Sequence, residues 1–218
     1  MRTTSEINLR KKTKEEGKTD EFTKLQLALN DSSDKNRNFL IAFLLIEVYI
    51  LAATISITDQ QLLLIDNQQS FALFNFKIPL IGFYWLAPLV QLAFHYNVLF
   101  NLREHSKKLN AWLNHENNNH QSDYLLLRPY IFNIWAKYNH TKNRYNTVDY
   151  LLLNVIIQLL FAIVPLSLLV FILWKMTSIQ FMGLSTWHLV CAICNILLLA
   201  HFWPSIKKPK SQEENNRS

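Results

Sequence analysis

The chain is poor in the residues that punctuate soluble folds. Its 218 residues include 3 glycines, 6 prolines and 2 cysteines. So little glycine and proline excludes collagen-like and flexible low-complexity classes. Two cysteines exclude a disulfide scaffold. Charge is scarce too. Asp, Glu, Lys and Arg make up 17% of the residues, below the roughly 25% usual for soluble domains. Gly17, Gly82 and Gly183 cannot build a Gly-rich phosphate loop, and no GxSxG, HExxH or DxD pattern occurs.

What the chain has is hydrocarbon, 50% by residue, pooled in four runs. The first extends from Asn38 to Ile57, with Glu47 its only charge. The others, Ile78 to Phe100, Tyr150 to Trp174 and Leu184 to Trp203, carry no Asp, Glu, Lys or Arg. A bilayer core about 30 Å thick needs about 20 apolar residues of helix to cross it. Lipid offers no partner to backbone N–H and C=O groups, so each run is expected to be an α-helix. Core helices of soluble proteins show a polar face, and the third run is apolar nearly all round. The expectation is an all-α integral membrane protein with spans at about 38–57, 78–100, 150–174 and 184–203. Residues 1–37 and 205–218 are read as polar cytoplasmic tails, and 101–149 as a cytoplasmic loop.

Lys and Arg set the orientation. Nine of the 22 precede the first run, one lies in 58–77, seven in 101–149, one between the last two runs and four after them. Twenty thus fall on one side, so both termini and the 101–149 loop are expected to be cytoplasmic. The net charge of +6 then reflects this bias and attraction to anionic lipid headgroups, not nucleic-acid binding. The basic start is followed by a long polar stretch instead of a short apolar one, so the first span is expected to direct insertion itself.

The segments between the runs carry readings of their own. Residues up to Lys18 are expected to be disordered. Thr19 to Asn30 reads as a short helix with Phe22, Leu25 and Leu29 on one face and Leu27 off it, making a weak interfacial contact. The 58–77 segment is unusually apolar. It reads as a lid on the outer leaflet, or as short extended segments joined by a turn at Asp66–Asn67. Leu102, Leu109, Trp112 and Leu113 extend the second run as a helix. Tyr124 to Tyr138 follows, started by Pro129. There Arg128, Tyr130, Trp135 and Lys137 suit the headgroup zone. The alternative reading of the same loop, 101–149, is a docking surface for a protein partner.

Polar groups inside spans are costly, so each is a functional candidate. Glu47 costs most, and Gln91, His95, Asn97, Asn154, Gln158 and Asn195 are its candidate partners. Two roles compete: interhelical glue, and a proton or ion relay. His95 and His201 raise the thought of a haem, but His188 and His201 fall on different helix faces and no two-haem stack follows. No cofactor or metal is expected. Cys191 and Cys194 read as small packing residues. His105, His115, His120 and His140 lie in a polar loop without zinc-like spacing. Pro88 and Pro165 each free a carbonyl and kink a helix.

Several stretches carry a resemblance. They are Thr58-Asp59 with Leu62-Leu63-Leu64, then Ile78-Pro79-Leu80-Ile81-Gly82-Phe83-Tyr84, Ala87-Pro88-Leu89 and His95. Together they resemble a bacterial multi-spanning membrane module that often precedes pentapeptide repeats. Pro165-Leu166, Ser185-Thr186-Trp187-His188 and Phe202-Trp203-Pro204 extend the likeness over about Asn38 to Pro204. The repeats are absent here, and the module brings no catalytic residues. The resemblance implies a bacterial inner-membrane location and an anchoring role. From the residues and the resemblance together, the expected function is a non-catalytic anchor or interaction subunit. The alternative is a small proton- or ion-coupled transporter using Glu47, with a haem protein or enzyme behind both.

Overall fold

The structure is a computed structural model that describes residues 4–58, 68–70, 77–116, 127–140, 147–178 and 182–207. Nearly all of it is helix. Helix α1 (Thr4–Ser56) is followed by a three-residue antiparallel pair, β1 (Gln68–Ser70) and β2 (Lys77–Pro79). Then come α2 (Leu80–Glu116), α3 (Ile131–His140) and α4 (Thr147–Gln158). A π-helical turn, Leu159–Ile163, joins α4 to α5 (Val164–Ser178), and α6 (Met182–Lys207) closes the order. Among the described residues, three helices are long and apolar enough to cross a membrane: Asp20–Ser56, Thr147–Thr177 and Met182–Lys207.

No glycine or proline interrupts the chain between Gly17 and Pro79, and α1 accordingly continues without a break. At 53 residues it is about 80 Å long, far more than a bilayer requires. Asp20–Lys24 and Asp31–Lys35 pair at i,i+4, acid first, an order that supports a helix by a few tenths of a kcal/mol each. The expected disordered tail and short separate helix are therefore replaced by one rod beginning at Thr4.

Along α1 a buried seam runs through Leu29, Ser33, Asn36, Leu40, Phe43, Glu47, Ile50 and Thr54 to Ile57 just past the helix end, with Ser32 and Ala53 buried beside it. The steps alternate four and three, the repeat of a coiled-coil seam. On α2, Leu80, Tyr84, Ala87, Gln91, His95, Val98, Leu102, His105, Leu109 and Trp112 are buried at nearly the same spacing. The two seams face each other antiparallel. Gln91 bonds Glu47, the His95 ring stacks on Phe43, His105 bonds Ser32 and the Trp112 ring stacks on Phe22. Helix α6 runs parallel to α2, with Trp187 on Trp85, Asn195 on His95 and Ser106 on Ile206. The π turn and α5 run antiparallel to α2, since His95 meets Phe161 and Gln91 meets Pro165. The bundle is therefore up-down-up-down.

At the end of the bundle rich in Lys and Arg, the helices close over a core of Leu29, Leu109, Trp112, Tyr130, Phe132, Trp135 and Ile206. Leu25 and Phe22 pack against it, while Leu27 is exposed. The face chosen from sequence is the one used, but its partner is protein, not a lipid interface. At the opposite end Ile57, Leu80, Tyr84, Ile172, Met176 and Leu184 form a second core. There Lys175 Nζ donates to the carbonyls of Thr54 and Ile57, capping α1 from another helix. β1 and β2 pair with Gln69 opposite Ile78, and the expected turn at Asp66–Asn67 lies outside the described residues. The lid reading of 59–67 and 71–76 lies outside the described residues.

Candidate functional site

The polar residues of the bundle form a chain of contacts where four helices meet. Glu47, Gln91, His95 and Asn195 are all buried, none more than 3% exposed. Gln91 Nε2 donates to Glu47 Oε2 at 3.1 Å and to the Pro165 carbonyl at 2.7 Å. One turn along α2, His95 Nε2 donates to the Phe161 carbonyl at 3.0 Å, and Asn195 Nδ2 donates to His95 Nδ1 at 2.9 Å. The carbonyl acceptor makes Nε2 the protonated nitrogen, leaving Nδ1 as acceptor.

The reason for this chain lies in α5. Pro165 has no N–H, so the carbonyl four residues before it, Phe161, lacks its ordinary helical donor. The turn containing Phe161 is π-helical, which is how a helix absorbs a local mismatch. An unpaired buried carbonyl costs about 1–3 kcal/mol. His95 satisfies it from α2, and Gln91 secures the next turn. The kink expected of Pro165 is thus a repaired defect. Glu47 Oε1, Gln91 Oε1 and Asn195 Oδ1 are buried and accept no hydrogen bond.

Other sequence candidates stand apart. Asn97 is exposed and its side chain meets Asn101 of its own helix. Asn154 and Gln158 are half-buried on α4, and His201 is exposed with its ring against Phe202. The haem thought loses its geometry, because both ring nitrogens of His95 are engaged. Cys191 is buried and Cys194 half-buried, both free. Among the described residues no group of three His, Cys, Asp or Glu is placed to hold a metal.

The loop residues expected at the headgroups are placed differently. Pro129 does lie just ahead of the helix, α3. However, Tyr130 and Trp135 turn inward to the protein core, with 4% and 2% exposure. Arg128 pairs with Asp34, and its N–H donates to Asn30 Oδ1 at 2.9 Å. The side chain of Lys137 lies outside the described residues.

A second polar cluster, missed from sequence, pins α3 to α1 and α2. His105 is not in a loop but fully buried on α2. Its Nε2 donates to Asn133 Oδ1 at 2.6 Å, and its Nδ1 accepts from Ser32 Oγ at 3.0 Å. Asn133 Nδ2 donates to Ser33 Oγ at 2.9 Å, and Ser33 Oγ donates to the Leu29 carbonyl at 2.9 Å. The Asn133 acceptor makes Nε2 the protonated nitrogen, and in the neutral ring Nδ1 takes the Ser32 hydroxyl proton. Burial, opposed by the Asn133 bond and aided by Lys108, pushes His105 down to about 4. The available signal was spacing: Ser33, Asn36 and His105 fall on the same seams as Glu47 and His95.

Compared with known proteins, the chain matches no family model, no curated protein and no solved structure.

Proposed function

We propose that this chain is a multi-pass membrane protein, a non-catalytic anchor that holds a rigid helical head at the cytoplasmic face of a bacterial inner membrane. The observation carrying this reading is the continuity of the α1 and α2 seams. They pass from the Glu47–Gln91 level into the head without a hinge, and α3 and the end of α6 complete the head's core. A load on the head is thereby transmitted to the bundle. Helix α2 is the fourth span in this proposal. Its stretch 80–100 lies among the three more apolar helices at the same depth, and Gln91 and His95, which lower its hydropathy, are satisfied inside the bundle. The Lys and Arg distribution supports a cytoplasmic position for both termini and the head.

The working partner is another protein docked on the head. Mild detergent extraction after crosslinking should recover the chain with a partner or with itself. Recovery of monomer alone, at physiological expression, counts against the anchor.

One observation favours a proton- or ion-coupled transporter instead. Glu47 is the sole acid of its run, and its Oε1 is buried without a partner. Ion flux in liposomes separates the two readings. An anchor gives none, whereas a relay gives flux that Glu47→Gln abolishes.

A further inference from the structure

Where α6 ends, two cations rest on aromatic rings instead of acids. The Arg103 guanidinium carbon lies 5.8 Å from the centre of the Phe202 ring, and Lys207 Nζ lies 5.5 Å from that of Trp203. Phe202 and Trp203 are consecutive, and Lys207 reaches back one turn, so both positive heads sit at one depth. The Ser106–Ile206 bond, 2.8 Å, fixes α2 against α6 just beyond them. Trp203 is the last residue of the fourth charge-free run, and Arg103 follows the second run by three residues. This is the depth at which hydrocarbon gives way to headgroups.

Among the described residues this charge has no acidic partner. At the same end Lys24, Lys35, Arg37, Lys107 and Arg128 each pair with an Asp or Glu. Glu104, beside Arg103 in sequence, is taken by Lys107. Among the described residues neither Arg103 nor Lys207 has an acidic partner, and Arg103 Nε is buried without a hydrogen bond. A ring face holds a cation without neutralising it. The guanidinium keeps the planar fork that matches a phosphate, and a lysine adds a point charge. Exposed Tyr96 and His201 flank the same Phe202 ring.

We infer that Arg103 and Lys207, carried on Phe202 and Trp203, form a binding site for the phosphate of an anionic lipid of the inner leaflet. The inference rests on the membrane reading above. The cations supply affinity, and the half-exposed aromatic face between α2 and α6 receives the start of the acyl chains. The site is a seam between two spans, so a bound lipid also ties α6 to α2 at the base of the head.

The test is native mass spectrometry of the full chain in neutral detergent, titrated with phosphatidylglycerol or phosphatidylcholine. The wild type should prefer phosphatidylglycerol. Lys207→Gln should weaken its binding roughly fivefold, and Arg103→Gln with Lys207→Gln roughly 25-fold, from the usual worth of a cation near an anionic surface. Lys24→Gln with Arg128→Gln removes the same charge from the same end and should leave binding unchanged. An equal loss in that control, equal binding of the two lipids, or displacement by inorganic phosphate overturns the site. Lys207 is exposed at a helix end, so Lys207→Gln alone decides the matter where the double variant fails to fold; wild-type affinity in it sinks the proposal. Carbonate extraction tests the membrane reading separately. Release of the chain removes both claims, whereas retention without lipid preference removes only this one.

Discussion

His95 on α2 donates to the backbone carbonyl of Phe161, the group that Pro165 leaves without a helical donor. One side chain thus compensates a break in another helix. The pairing is energetically asymmetric, because losing the histidine strands a buried carbonyl.

His95→Ala should therefore destabilise the bundle by about 1–3 kcal/mol. In a Pro165→Ala background, where residue 165 regains its N–H, the same substitution should cost clearly less. Thermal unfolding in detergent of the four chains of this cycle measures the coupling. Strict additivity would mean that the histidine does not serve the proline.

The head should be acid-sensitive through His105. Its folded value, about 4, lies below the unfolded value of about 6.5, so the unfolded state binds more protons between these limits. Stability from this group is complete above about pH 6.5 and is lost as pH falls towards 4, on the order of 3 kcal/mol in all. Tryptophan fluorescence of Trp112 and Trp135 follows the head through an acid titration. His105→Gln should flatten the profile between pH 6.5 and 4. An unaltered profile would place the acid sensitivity elsewhere.

Packing, not ion pairing, should hold α3. The Arg128–Asp34 pair is largely open to solvent on the arginine side, 60% exposed, and such pairs contribute about 0–1 kcal/mol. Trp135 is 2% exposed within the core, and truncating such a ring costs about 3–5 kcal/mol. Asp34→Asn should thus leave the melting temperature of the head nearly unchanged, while Trp135→Ala lowers it strongly. Comparable losses from both would refute this ranking.

Lys175 should matter more than an ordinary surface lysine. It caps two carbonyls at the end of α1 from α5. Lys175→Met keeps the aliphatic stem but removes the donors, and should cost roughly 1–3 kcal/mol. Hydrogen exchange of the last turn of α1 would locate the loss. Wild-type protection there would show the cap to be idle.

Much of the architecture was legible. Charge-free runs announced three of the long helices, and spacing announced that Leu102, Leu109, Trp112 and Leu113 continue α2. Phe22, Leu25 and Leu29 were separable from Leu27 by helical geometry alone. Glu47, Gln91, His95 and Asn195 were marked by their cost in an apolar setting. Their grouping was not legible, and neither was the exclusion of Asn97, Asn154, Gln158 and His201. Polarity reports expense but not direction, and direction depends on how each helix is rotated. The α1–α2 seam was hidden for a related reason. Ser33, Asn36, Glu47 and Thr54 interrupt its hydrophobicity, while Leu45, Val48 and Ile55 on the opposite, exposed face are apolar. Inside-out patterning of this kind defeats a search for one greasy stripe.

What the amino-acid sequence determined by itself is local and additive: where hydrocarbon accumulates, where backbone breakers are missing and where positive charge collects. Those quantities are sums over neighbours in the chain. Tertiary structure alone decided that Tyr130 and Trp135 face protein, that His105 needs Asn133 and Ser32, and that His95 repairs the break at Pro165. Each of these depends on groups dozens of residues apart meeting within hydrogen-bond or ring-contact distance, a condition set by helix rotation and register and not by composition.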